Sequence, residues 1–96
     1  MKDKYIIDNL PKEYVLNEPL IVTVEHSSKD DFIACFYDVN IYGYGDTISE
    51  ALDDLKELMI DQLEFLLKEK EQVILGLTPQ KQLDVLCRHI RKRSVS

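Results

Sequence analysis

Few side chains in this sequence stand at spacings that catalytic chemistry uses. Gly43-Tyr44-Gly45-Asp46-Thr47 precedes an apolar periodic stretch, the outline of a phosphate-cradling loop at a helix start. The third glycine and a neighbouring lysine are missing, and Asp46 puts a negative charge where a phosphate would sit. The stretch therefore reads as a structural turn. Glu25, Asp38 and Asp46 fall on or beside strand-like runs, and paired carboxylates holding Mg²⁺ are how nucleases cut phosphodiesters. The competing reading of such acids is solvated turn residues. His26 and His89 are isolated from any His/Cys/Asp set at metal-ligand spacing. Ser27 and Ser28 have no nucleophile-elbow pattern around them, so no nucleophile, base and orienting group can be assembled. Cys35 and Cys87 are too few for a disulfide scaffold, and each lies in an apolar pattern. They read as small buried hydrophobes of a reducing cytoplasm. No catalytic residue, metal or cofactor is expected.

The turn is better explained by what it joins. Thr47 and Glu50 have the Thr-x-x-Glu spacing of a capping box, in which each side chain satisfies a backbone N–H left bare at a helix start. Gly45 would supply backbone angles that a side chain forbids, turning a strand sharply into the helix. Beyond it Ala51, Leu52, Leu55, Leu58, Met59, Leu63, Leu66 and Leu67 recur every three or four residues, with charged residues between them. This pattern predicts one amphipathic helix from Thr47 to about Glu71.

Upstream, Leu20–His26 alternates with β-branched residues dominant, and Phe32–Tyr37 is apolar on both faces. The polar Ser27–Asp31 between them has hairpin-loop chemistry. An Asp38-Val39-Asn40 turn leads to a third strand, Ile41–Tyr44. Within Lys2–Asn17, Tyr5-Ile6-Ile7 and Tyr14-Val15-Leu16 are short strand candidates broken by Asp8, Pro11 and Pro19. Downstream, Val73-Ile74-Leu75 is a fourth edge strand or a connector. Thr78 with Pro79 then opens a second helix to about Arg93. The fold class is α+β: a three- to four-stranded, mainly antiparallel sheet packed by one long helix, plus a short C-terminal helix. The 96 residues form one domain with its core in 20–71 and the C-terminal helix at 78–93.

Charge narrows the partners. The net charge of -6 divides unevenly: residues 1–46 carry 4 basic and 9 acidic side chains, 47–71 carry 3 and 8, and 72–96 carry 5 and 1. An acidic body disfavours non-specific binding to a phosphate backbone. Only Arg88, Arg91, Lys92 and Arg93 could touch nucleic acid, and weakly. Mean hydropathy is -0.22 and no apolar run approaches a membrane span. The start shows no signal-peptide pattern. A cytoplasmic protein without membrane contact is expected.

The run Phe32-Ile33-Ala34-Cys35-Phe36-Tyr37-Asp38, followed by Gly45-Asp46-Thr47-x-x-Glu50-Ala51-Leu52, resembles the HicB family of antitoxins over about residues 20–70. Members carry an aromatic–x–Ala–x–aromatic–x–Asp strand, a loop, then Gly-Asp-Thr-x-x-Glu-Ala-Leu opening a long helix. The resemblance implies a partial ribonuclease-H-like fold without nuclease activity. It also implies a partner: a small HicA-type toxin that cleaves messenger RNA until the antitoxin covers it. Val39-Asn40-Ile41-Tyr42 stands where many members have Pro-Gly-Cys, and the 25 residues after Glu71 suffice for one helix rather than a DNA-binding module.

The functional expectation is accordingly an antitoxin-like binding protein of a type II toxin-antitoxin system. The alternatives are a stand-alone HicB-like oligomer with another partner, and a metal-dependent nuclease using the strand-edge acids. Ile33 and Tyr37 are the expected partner contacts. Leu83, Leu86, Cys87 and Ile90, at i, i+3, i+4 and i+7, are expected to hold a homodimer or tetramer together; packing of this helix back onto its own sheet is the competing reading.

Overall fold

The computed structural model describes residues 2–27 and 31–93. Its elements in chain order are β1 (Lys2–Ile7), β2 (Tyr14–Leu16), β3 (Leu20–His26), β4 (Phe32–Phe36), β5 (Ile41–Gly45), α1 (Ile48–Gln72), α2 (Leu77–His89) and β6 (Ile90–Lys92). The main sheet is antiparallel in the order β1-β3-β4-β5. The α+β expectation holds, and the fourth strand is β1, at the edge beside β3. Val73-Ile74-Leu75 joins no strand and serves as a connector.

Strand parity sorts the sheet into two faces. Ile7, Leu20, Val22, Val24, Ala34 and Phe36 point inward and are buried in one core with the helices. The opposite parity points away from the helices. The molecule is only 18 Å thick along its shortest axis, about the depth of one sheet and one helix layer spaced ~10 Å apart. Among the described residues no second layer covers the outer face.

α1 runs over β5 and β4. It buries Ala51, Leu55, Met59, Ile60, Leu63 and Leu66, so the stripe is shifted from the expected one. Ile60 belongs to the core, whereas Leu58 and Leu67 are exposed because they fall on opposite shoulders of the helix. Its first turn is capped as the spacing required in one half: the Glu50 N–H donates to Thr47 Oγ1 at 3.1 Å. The other half is displaced by one residue, since Glu50 Oε2 accepts from the Asp46 N–H, at 3.3 Å.

The C-terminal segment departs most from expectation. The helix N-cap is Gly76, with no side-chain bond from Thr78. Pro79 is the third helical residue, still within the turn whose N–H groups have no intrahelical acceptor. α2 ends at His89, not near Arg93, because Ile90–Lys92 turns extended and pairs antiparallel with Tyr14–Leu16. The Asn17 N–H donating to His89 O at 2.8 Å and the Arg93 N–H donating to Glu13 O extend this ribbon at both ends. The first and last parts of the chain are thereby tied together.

Candidate partner-binding faces

The Gly43–Glu50 stretch is a packing device. No glycine has a positive φ, so the expectation that Gly45 supplies a conformation forbidden to side chains is corrected. The reason for glycine is proximity. A Cβ on Gly43 would lie 2.6 Å from Ala51 O, and one on Gly45 2.5 Å from the Ala51 N. Gly43 pairs with Ala34 across the β4–β5 register, and both Ala34 and Ala51 are fully buried. Ala34, Gly43 and Ala51 together make a small-residue contact that lets the α1 backbone approach the sheet. The Asp54 carboxylate completes the join by accepting from the Tyr44 N–H at 2.9 Å, on the otherwise unpaired side of β5. Asp46 is exposed and engages this structure through its backbone.

The Leu83, Leu86, Cys87 and Ile90 stripe is not an exposed interface. Leu83, Leu86 and Ile90 are buried in the chain's own core, because α2 packs on α1 and then closes through β6. Cys87 alone of the four is exposed, which also corrects its reading as a buried hydrophobe. Cys35 is buried, and burial pushes its thiol upward. The two cysteines are unpaired.

Ile33 and Tyr37 do share a surface. Both have the outward parity, with Ile33 half-buried and Tyr37 exposed. Register adds neighbours that strand spacing did not single out. Tyr44 opposes Ile33 and Tyr42 opposes Cys35 on β5, while Ile6 opposes Ile21 across β1 and β3. Ile6, Ile21 and Tyr44 are 68%, 63% and 58% exposed. Tyr37 and Tyr42 meet edge to face at 6.4 Å, and Lys2 Nζ lies 5.4 Å from the Tyr37 ring. The parity of Gly43 and Gly45 was the available signal: if glycines face the helix, Tyr42 and Tyr44 must face away.

The strand-edge acids are not gathered into one site. Glu25 opposes Ile33 near the start of β4, whereas Asp38 follows the far end of that strand. Among the described residues no group of three or more His, Cys, Asp or Glu side chains could hold a metal ion. His26 stacks on Phe32 at 4.7 Å. His89 packs edge-on against Phe36, with Nδ1 3.6 Å from Glu18 Oε1. Ser28 lies outside the described residues.

The basic end is spread along the β2–β6 ribbon. Arg88, Arg91, Lys92 and Arg93 are exposed, and Lys92 Nζ is 3.7 Å from Glu13 Oε1. On the other side of the ribbon the Tyr14 hydroxyl donates to Glu64 at 2.7 Å. Burial, reinforced by that carboxylate, pushes the Tyr14 phenol up to about 12. No described helix is long and apolar enough to cross a membrane. No protein-family model, curated protein or solved structure matches this chain.

Proposed function

We propose that this chain is an antitoxin-like binding protein of a type II toxin-antitoxin system, neutralising a HicA-type toxin that cleaves messenger RNA. The observation that carries the reading is the uncovered outer sheet face, where Ile33, Tyr37, Tyr42 and Tyr44 stand together without a packing layer. Exposed aromatic side chains grouped on a rigid sheet are what interface centres use, since rings bury large area with few rotatable bonds. The face is framed by an acidic body, with a net charge of -10 over residues 1–71. A toxin that grips RNA must present a cationic surface. Opposite fields then speed encounter and orient the pair, while the apolar contacts hold it.

The resemblance of Gly45-Asp46-Thr47 and Glu50-Ala51-Leu52 to the antitoxin family supports the same reading. It bears on the scaffold, because those residues join helix to sheet. Partner choice belongs to the outer face.

The test is co-expression with each small basic protein encoded beside this gene, paired with binding measured across a salt series. The expected result is rescue from toxicity and binding that weakens with salt but retains an apolar remainder. Tyr44→Glu should abolish rescue without changing the thermal midpoint. If no such neighbour binds the chain or poisons cells, the antitoxin reading fails and a stand-alone oligomer with another partner replaces it.

A further inference from the structure

The open edge of β5 carries backbone groups that the fold leaves unused. Among the described residues no strand pairs beyond it. In an antiparallel pair the N–H and C=O of one residue point to the same side, and successive residues alternate sides. The Tyr44 N–H donates to Asp54 Oδ2 and not to β4. Tyr44 and Tyr42 therefore both direct their backbone groups to the open edge, while Gly43 serves the ladder with Ala34. Two N–H groups along this line are held by carboxylates from α1: Asp54 takes that of Tyr44, and Glu50 takes that of Asp46. The Tyr42 N–H has no such cap, and among the described residues the Tyr42 and Tyr44 carbonyls are open beside it.

The helix supplies a floor next to this edge. A Cβ on Gly43 or Gly45 would meet the backbone of Ala51 or Leu55, so α1 lies directly beneath β5. The reach of Asp54 to the Tyr44 N–H places one flank of α1 past the strand. At ~100° per residue, Glu50, Asp54, Leu58 and Asp61 fall within about 80° of one another on that flank. Leu58 and Asp61 are exposed, and Asp61 makes no hydrogen bond or ion pair among the described residues. Lys56 is turned away, toward Asp53 and Asn9. The first cation on the flank is Lys68, about two turns beyond Asp61.

We propose that the β5 edge and this flank of α1 form a groove that takes a cationic extended segment of another protein as an added strand. Main-chain hydrogen bonds to Tyr42 and Tyr44 hold such a segment, and its alternate side chains set the sequence it must have. A strand ~4.8 Å beyond β5 turns one set of side chains down onto Glu50, Asp54, Leu58 and Asp61. The other set lies beside the Tyr42 and Tyr44 rings. Full pairing transfers the Tyr44 N–H from Asp54 to a carbonyl of the incoming segment. The released carboxylate then lacks its donor, a loss that a cation on the segment offsets. This exchange selects lysine or arginine at the inward positions and apolar or aromatic residues at the outward ones. It excludes β5 of a second copy, which would set Glu50 and Asp54 against their own counterparts. Because backbone and α1 define the groove, it stands whether or not the outer face binds a toxin.

The probe is a short synthetic peptide alternating lysine and valine, titrated into the full chain and followed by backbone amide resonances and hydrogen exchange. Saturable shifts centred on Tyr42 and Tyr44 are expected, with exchange of the Tyr42 N–H slowed about tenfold or more. Two further peptides carry N-methyl groups, one at every valine and one at every lysine, so that each loses the donors of one edge and keeps its charge. One of them should bind about tenfold more weakly than the other. Loss at valine marks an antiparallel strand, and loss at lysine a parallel one. A peptide with glutamate in place of lysine should not bind, and Asp61→Lys should weaken the lysine peptide about fivefold. Equal affinities of the two N-methylated forms overturn the proposal, since charge attraction alone would then explain binding. Absence of binding, or shifts that avoid Tyr42 and Tyr44, overturns it as well.

Discussion

Replacing Gly43 by alanine adds one methyl group at the point where the helix and sheet backbones are closest. That carbon would sit 2.6 Å from Ala51 O and 2.7 Å from Leu55 Cα, with the Leu55 N closer still. Ordinary contact begins near 3.5 Å, so α1 must retreat by on the order of 1 Å. These are backbone atoms in the first two turns of a 25-residue helix, and no side-chain rotation can relieve them. The retreat loosens Leu55 and Met59, both fully buried. A gap of 0.5–1 Å forfeits a quarter to a half of each dispersion well. Overpacking of this kind costs about 1–3 kcal/mol where side chains can adjust; with backbone on both sides we expect ~3 kcal/mol. Against a total stability of roughly 5–10 kcal/mol for a domain this size, that is a large fraction. Urea melts followed by circular dichroism should show a midpoint lowered by at least 1 M, at about 1–3 kcal/mol per M of slope. Gly76→Ala is the control, because its Cβ would meet only Pro79 Cδ at 3.8 Å. It should cost about 0.5–1 kcal/mol as an N-cap change, well below the loss at Gly43. If Gly43→Ala unfolds within 0.5 kcal/mol of wild type, the close-approach account of this motif is wrong.

Thr47→Ala should cost ~1 kcal/mol through loss of the Glu50 N–H acceptor, read from the same melts; Glu50→Gln should cost less, since its amide oxygen still accepts from Asp46. The Tyr14 phenol is raised on folding to about 12, so the folded state holds that proton more tightly than the unfolded chain, whose phenol titrates near 10. The resulting stability is fully present below pH ~10 and is lost as pH climbs toward ~12, by ~1–3 kcal/mol. Comparing pH 9 with pH 11.5, wild type should lose more stability than Tyr14→Phe, and equal losses would refute this coupling.

Much of the scaffold was legible from local signals. The strand patterns in Leu20–His26 and Phe32–Tyr37, the latter ending one residue earlier in the structure, the three-to-four spacing after Ala51 and the Thr47/Glu50 pair are each set within a few residues, where strand pleat, helix turn and capping geometry act. That Ile33, on β4, and Tyr37, just beyond its end, share the outward face also followed from parity alone. What the sequence could not determine depends on pairings distant along the chain. Ile90 carries a helical spacing from Leu83, yet it becomes a strand because Leu16 offers a pairing partner. That contact also buries the α2 stripe that exposure arguments had assigned to an interface. The roles of Gly43 and Gly45 likewise depend on where α1 lies over β5, since their φ values need no glycine. The same docking decides which shoulder of α1 meets solvent, leaving Leu58 and Phe65 outside while Ile60 is buried. Periodicity determines that a helix has an apolar side; only the arrangement of sheet, α2 and the β2–β6 ribbon decides how much of that side is covered.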